Sequence, residues 1–113
     1  MYAVIWTYEV RSDCLDRFKQ DYSSTGLWVD FFSPGQGYQG TQLLCNRATS
    51  NCFLTIDRWD SEASFRRFSD EHREEYEAID KRCSALTLRE DRIGAFVDEA
   101  EIAKHIDGWL VTA

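Results

Sequence analysis

A chain of 113 residues, 43% apolar and 14% aromatic, makes one domain with an ordinary core and an excess of rings. Its net charge of −7 argues against nucleic acid and against anionic membrane surfaces, both of which reward basic patches. No apolar run reaches the roughly 18 residues of a membrane span. The start, MYAVIWTYEVRSD, lacks a basic n-region and a small-residue cleavage site, so the expected location is the cytoplasm.

YAVIWTYEV (residues 2–10) predicts a strand. Tyr2, Val4, Trp6, Tyr8 and Val10 share one face, and Ala3, Ile5, Thr7 and Glu9 the other. Ser12 or Asp13 then caps a helix with Leu15, Phe18 and Tyr22 inward. SSTG breaks it, LWVDFF adds an apolar turn, and SPGQG ends that turn with the chain's single proline. SPGQG has no phosphate-loop pattern and reads as a turn. YQGTQLLCN (38–46) and CFLTIDRW (52–59) predict two further strands joined at RATS. A simple hairpin pairs Cys45 with Cys52, Leu44 with Phe53, Gln42 with Thr55 and Gly40 with Asp57.

Asp60 or Ser61 caps a second, long helix that runs to about Leu86. Phe65, Phe68, His72, Tyr76, Ile79 and Cys83 recur at steps of three and four and so form one helical face. On the outer face, Glu62–Arg66, Arg67–Glu71 and Glu77–Lys81 are spaced for i,i+4 pairs. A last strand lies within residues 89–97. An acidic tail follows, with a short helix at its start, His105 on the surface, and Trp109, Leu110 and Val111 docking elsewhere. The expected division is a domain over 1–97 and an extension over 98–113.

Cys14, Cys45, Cys52 and Cys83 form no C-x-x-C pair and lie far from His72 and His105, which argues against a zinc site or any other bound metal. Four free thiols are expected. Cys45 and Cys52 could oxidise if they faced each other across the hairpin.

The order β-α-β-β-α-β is the ferredoxin-like α+β arrangement, a four-stranded antiparallel sheet with both helices on one face. The first and third strands carry large apolar groups on both faces, unlike a sheet wetted on one side. Two helices cover only one face, so the expected form is a homodimer with sheets packed face to face.

GYQGTQLL, then FLTIDRWDSEASF, then YEAIDKRCSALT followed by IGAF carry a resemblance to the antibiotic biosynthesis monooxygenase-like proteins of the dimeric α+β barrel superfamily. The resemblance covers roughly residues 2 to 97 and implies a dimeric α+β barrel. The superfamily includes oxygenases without cofactors, haem-degrading enzymes, isomerases and members with no assigned reaction. In the oxygenases the substrate's own phenolate or carbanion supplies electrons to O₂, with no metal or flavin. The protein promotes ionisation, holds a flat substrate and excludes water. Such members use an Asn on the third strand, a Trp at its end and a Tyr in the next helix. On this chain those positions hold Thr55, Trp59 and Phe65. Haem-degrading members use a helix Trp, a His about ten residues beyond and an early Asn. Here the first two positions hold Phe68 and Ala78, and the first strand has no Asn.

The candidate catalytic groups are Trp59, Asp57 and His72. Trp59 either plugs the sheet end or points its N–H into a cavity. Asp57 is either a desolvated base or the partner of an arginine such as Arg92. His72 and Tyr76 are either a proton relay in a cavity or wet polar tips at the sheet edge. The candidate cavity has Thr55, Asp57 and Trp59 as floor, Phe65, Phe68 and Tyr76 as wall, and Tyr22, Trp28 and Phe31 as lid. Two functions are open: a cofactor-independent monooxygenase for a phenol, quinol or anthrone-like aromatic, and a non-catalytic barrel for a small apolar ligand.

Overall fold

A computed structural model describes residues 1–105, without the His105 side chain. The expectations for that side chain and for Trp109, Leu110 and Val111 lie outside the described residues. Strands β1 (Tyr2–Val10), β2 (Tyr38–Cys45), β3 (Cys52–Trp59) and β4 (Thr87–Val97) form one antiparallel sheet in the order β2-β3-β1-β4. Helices α1 (Leu15–Tyr22), α2 (Leu27–Phe32), α3 (Glu62–Glu71) and α4 (Arg73–Cys83) supply the ferredoxin-like crossovers, and α5 (Glu99–His105) follows the last strand. The fold is α+β and ferredoxin-like.

The helices cover the face bearing Tyr2, Val4, Tyr8 and Val10 of β1 and Phe53, Thr55 and Trp59 of β3, all buried. Alternation along a strand sends Ile5, Leu54 and Ile56 to the opposite face, where they are half-buried. Phe96, paired through Ala3, and Leu44, paired with Leu54, join them there and are exposed.

Three local expectations are corrected. Ser12 and Asp13 form a 3₁₀ turn, and no side chain caps α1. The long second helix is two helices, broken at His72 with φ −120° and ψ 27°. Its start is as the sequence indicates: Ser61 accepts from the Ser64 N–H at 3.1 Å, an N-cap bond. Of the three spaced charge pairs only Glu62–Arg66 closes, at 3.6 Å.

The third correction is the hairpin register. Cys45 pairs with Phe53, Leu43 with Thr55 and Thr41 with Asp57, one residue away from the simple hairpin. Asn46 is responsible. Its side-chain oxygen accepts from the N–H groups of Ala48 at 2.8 Å and Thr49 at 3.2 Å, which folds the loop. Its own N–H donates to the Cys52 carbonyl at 2.8 Å and closes the ladder there. Paired residues share a sheet face, so Cys45 lies on the face of Phe53 and Cys52 on the opposite one. All four thiols are free.

Both outer strands are irregular. Strand β2 has a bulge between Tyr38 and Gly40, and β4 slips against β1 at Ile5/Trp6 and at Glu9/Val10. The pairing of β1 with β3 runs unbroken from Tyr2–Trp59 to Glu9–Cys52.

Candidate functional site

Between the sheet and the helices lies a narrow cleft that opens to solvent. Aromatic rings make most of its wall: Trp6 and Tyr8 from β1, Tyr22 from α1, Trp28 and Phe32 from α2, and Tyr76 from α4. The polar remainder is Thr41, Thr55 and three carboxyl groups, Asp57, Asp80 and Glu90. Strand alternation puts Trp6, Tyr8, Thr55 and Asp57 on one face, and α4 carries Tyr76 and Asp80 over it.

Asp57 is the best-defined polar group. The shifted register sets Thr41 beside it, and the Thr41 hydroxyl donates to Asp57 Oδ1 at 2.6 Å. That hydroxyl has one proton, so the Tyr38 hydroxyl must be the donor in its contact with Thr41. The result is a directed chain, Tyr38 to Thr41 to Asp57. Burial pushes the Asp57 carboxyl up to about 6, with the Thr41 bond opposing it. No ion pair joins Asp57 to Arg92 or to any other cation among the described residues, so the salt-bridge alternative is not realised.

A second polar pair sits deeper. The Tyr8 hydroxyl and Thr55 Oγ1 are 2.9 Å apart, in residues only 8% and 2% exposed. One hydroxyl donates to the other, so one O–H remains for a further acceptor. Burial drives the Tyr8 phenol far above its usual range, so it stays a neutral donor. Tyr76 is pushed up to about 12, by burial first and then by the charges of Asp80, Asp57 and Glu90, with Arg92 opposing. Trp28 is also almost wholly buried, and its indole N–H makes no well-formed hydrogen bond but is near enough to the Tyr22 hydroxyl and the Cys83 thiol to favour their charged forms.

Of the sequence candidates, Asp57, Thr55, Tyr76, Tyr22 and Trp28 come together around this cavity. Trp59, His72, Phe65, Phe68 and Phe31 lie outside its wall. Trp59 is 0% exposed and wedged among Phe32, Tyr38, Phe65 and Phe68, with ring centroids 5.1 to 5.8 Å away. Its N–H is buried without an acceptor and away from the cavity. His72 lies tilted against Phe68, ring centroids 4.3 Å apart, at the helix break, and its Nδ1 is 3.7 Å from the Glu75 carboxylate. Phe65 leans on Tyr2 and Trp59. Phe31 packs edge-on against Phe68 at 5.1 Å.

Trp6, Tyr8, Phe32, Thr41, Asp80 and Glu90 complete the wall without having been singled out in the sequence. Trp6 and Tyr8 carry a usable signal, since they share a strand face with the core residues Tyr2, Val4 and Val10. Thr41 becomes visible only with the correct hairpin register. Asp80 and Glu90 look like solvated charges in the sequence.

Similar folds are known from solved structures. SnoaB, a cofactor-independent oxygenase from Streptomyces nogalater, superposes with a TM-score of 0.64 at 18% identity, over 87% of this chain and 92% of SnoaB. A provisionally named antibiotic biosynthesis monooxygenase from Deinococcus radiodurans gives 0.66 at 13% identity, over 87% and 92%. An uncharacterised NIPSNAP domain protein from Burkholderia xenovorans gives 0.63 at 15%, over 88% and 96%. The chain thus has the fold of antibiotic biosynthesis monooxygenase-like proteins. No protein-family model and no curated protein matches its sequence.

Proposed function

We propose that this chain is an oxygenase that needs no metal, flavin or haem and acts on a small phenol, quinol or anthrone-like aromatic. The observation that carries the reading is Asp57: a carboxyl poised near neutrality in a ring-walled cavity, held by a directed hydroxyl chain. A general base works best with a pKa near the working pH. The Asp57 carboxylate takes the acidic proton of the bound substrate, and the resulting anion supplies electrons to O₂. The spare O–H of the Tyr8–Thr55 pair is the donor placed to stabilise the negative oxygen that develops. The stacked walls hold a flat ring and keep water off the anion. This reading gives the base to Asp57 and not to His72, and leaves Trp59 to support the wall from behind.

Several half-buried and exposed apolar side chains on the uncovered sheet face, Ile5, Leu54, Ile56, Leu44 and Phe96, support a face-to-face homodimer as part of the same proposal. Light scattering of the wild type and of Ile56→Lys tests it: a dimer that the lysine splits is expected, and a wild-type monomer refutes it. Four free thiols support a reducing, cytoplasmic setting. Among the described residues no helix is long and apolar enough to cross a membrane.

Oxygen uptake against anthrones, naphthohydroquinones and catechols, with nothing else added, is the test of function. Turnover that rises with pH through about 6 and falls about 100-fold or more in Asp57→Asn is expected. A second reading, a non-catalytic binding barrel, is favoured by Thr55 and Phe65 standing where the cofactor-free oxygenases use Asn and Tyr. Ring-ligand binding with no uptake across the panel selects it.

A further inference from the structure

The cavity is acidic at both ends and aromatic between them. Asp57 belongs to β3 and Glu90 to β4, with β1 lying between. Asp57 pairs with Val4 and Glu90 with Tyr8, an offset of four residues along β1. Two strand spacings and that offset separate the two Cα atoms by roughly 16 Å. The floor between them carries Trp6 and Tyr8, and Tyr76 of α4 also lines the space. Asp80, from α4, is close enough to Glu90 that its charge makes Glu90 harder to ionise, after burial itself. Glu90 has one hydroxyl donor, Thr87, at 3.2 Å.

This arrangement has an electrostatic deficit. No Lys, Arg or His lines the cavity, and none of the three carboxyl groups has an ion pair among the described residues. Arg92 pairs with Trp6 and so shares its sheet face, and its charge acts on Tyr76, but its side chain is exposed and is not part of the wall. Half-buried carboxylates crowded beside one another lack a paired counter-charge, and the ring faces of Trp6, Tyr8 and Tyr76 attract cations too. The described acidic side chains are not grouped to hold a metal ion, so a dispersed organic cation fits better than a compact one. The spare O–H of the Tyr8–Thr55 pair is an independent sign of an occupant. It is a donor in a pair of residues each more than nine-tenths buried, on the wall of this same cavity, beyond the one hydrogen bond that joins them.

We infer that the ligand of this cavity is an aromatic amine: a phenolic ring lying across Trp6 and Tyr8, its hydroxyl toward Asp57 and its protonated amine held by Asp80 and Glu90. The inference rests on the proposed reading only for the role of Asp57. The amine end depends on binding alone.

Three matched probes test it by titration calorimetry at neutral pH: tyramine, the neutral para-ethylphenol and the anionic para-hydroxyphenylpropionate. Tyramine should bind about tenfold or more tighter than para-ethylphenol, and the propionate more weakly than either. The isosteric pair Asp80→Asn and Glu90→Gln, combined in one chain, should bring tyramine close to the neutral probe. Equal binding of tyramine and para-ethylphenol overturns the inference, as does failure of tyramine to bind. So does a preference that survives in the double variant. The probe series on the wild type decides even if that variant does not fold. Calorimetry consumes no oxygen, so the two readings fail separately. An amine preference without oxygen uptake removes the oxygenase and keeps the amine site. Uptake with neutral phenols and no amine preference does the reverse.

Discussion

Two neighbouring patches of the helix-facing surface of β3 differ in what their aromatic rings do. At the strand end, Trp59 is sealed by four other rings, and a Cβ on Gly35 would come within 2.9 Å of its ring. Two to four residues earlier, Asp57 and Thr55 sit under an equally aromatic roof that does not close. Ring content is the same in kind, so hydrophobicity does not separate them. The filled patch has rings at edge and tilt angles that leave Trp59 with no exposed surface. The open patch mixes rings with hydroxyl and carboxyl groups that need partners and cannot fill space as tightly. A cavity forms where carboxyl and hydroxyl groups face one another across a gap, and a plug forms where rings meet rings.

That contrast can be broken from either side. The largest effect belongs to the plug. Trp59→Ala should cost about 3–5 kcal/mol by leaving a large void, read as a lowered urea midpoint. A loss under about 1 kcal/mol would mean that the plug does not hold the sheet end.

Asp57→Asn acts in the opposite direction. The native carboxyl titrates near 6, above its unfolded value of 3.8, so ionising it in the folded state costs stability. That penalty is fully present above the folded value, fades as the pH falls through it and is gone below the unfolded value. The variant should therefore be more stable by up to about 3 kcal/mol at pH 7.5 and no more stable at pH 3.5. A pH-independent difference would remove the desolvated carboxyl from the account.

Gly35→Ala should cost about 2 kcal/mol by overpacking, since its Cβ meets Phe68 at 2.8 Å as well as Trp59. Circular dichroism melts check it, and a neutral result would mean the plug has slack. The smallest change in stability, about 1 kcal/mol, is expected for Thr41→Val. Its value lies in the pH profile. Losing the bond that favours the Asp57 carboxylate should move the activity or binding midpoint further above 6.

The β-α-β-β-α-β order was legible because β1 and β3 are strongly strand-forming and Ser61 caps the following helix as its type suggests. The choice of sheet face was not legible, since β1 and β3 are apolar on both sides. The site depended on that choice and on the hairpin. That Asp57, Thr55, Tyr76, Tyr22 and Trp28 line one cavity was legible from spacing and residue type. Thr41 was not, because a single loop residue, Asn46, resets the register and thereby decides what stands opposite Asp57. The helical stripe put His72 between Phe68 and Tyr76, but the stripe assumes one continuous helix. The break at His72 turns the imidazole onto Phe68 and away from the cavity. Asp80 and Glu90 were invisible for a general reason: a charge in a sequence looks the same whether it faces water or a cavity.

The irregular pairing of β2 and β4 has a consequence for the protein in a crowded solution. A strand at the margin of a sheet offers unpaired N–H and C=O groups to any passing chain, and straight margins stack into fibres. Here the two margins carry all three register slips, while the inner pair of strands has none. The slips bend the outer strands out of line, and they leave Leu88 and Ile93 jutting from β4, 59% and 52% exposed. A would-be partner strand therefore meets a ladder whose rungs are out of step. The chain can keep sticky side chains beside its rim without offering a template for endless growth.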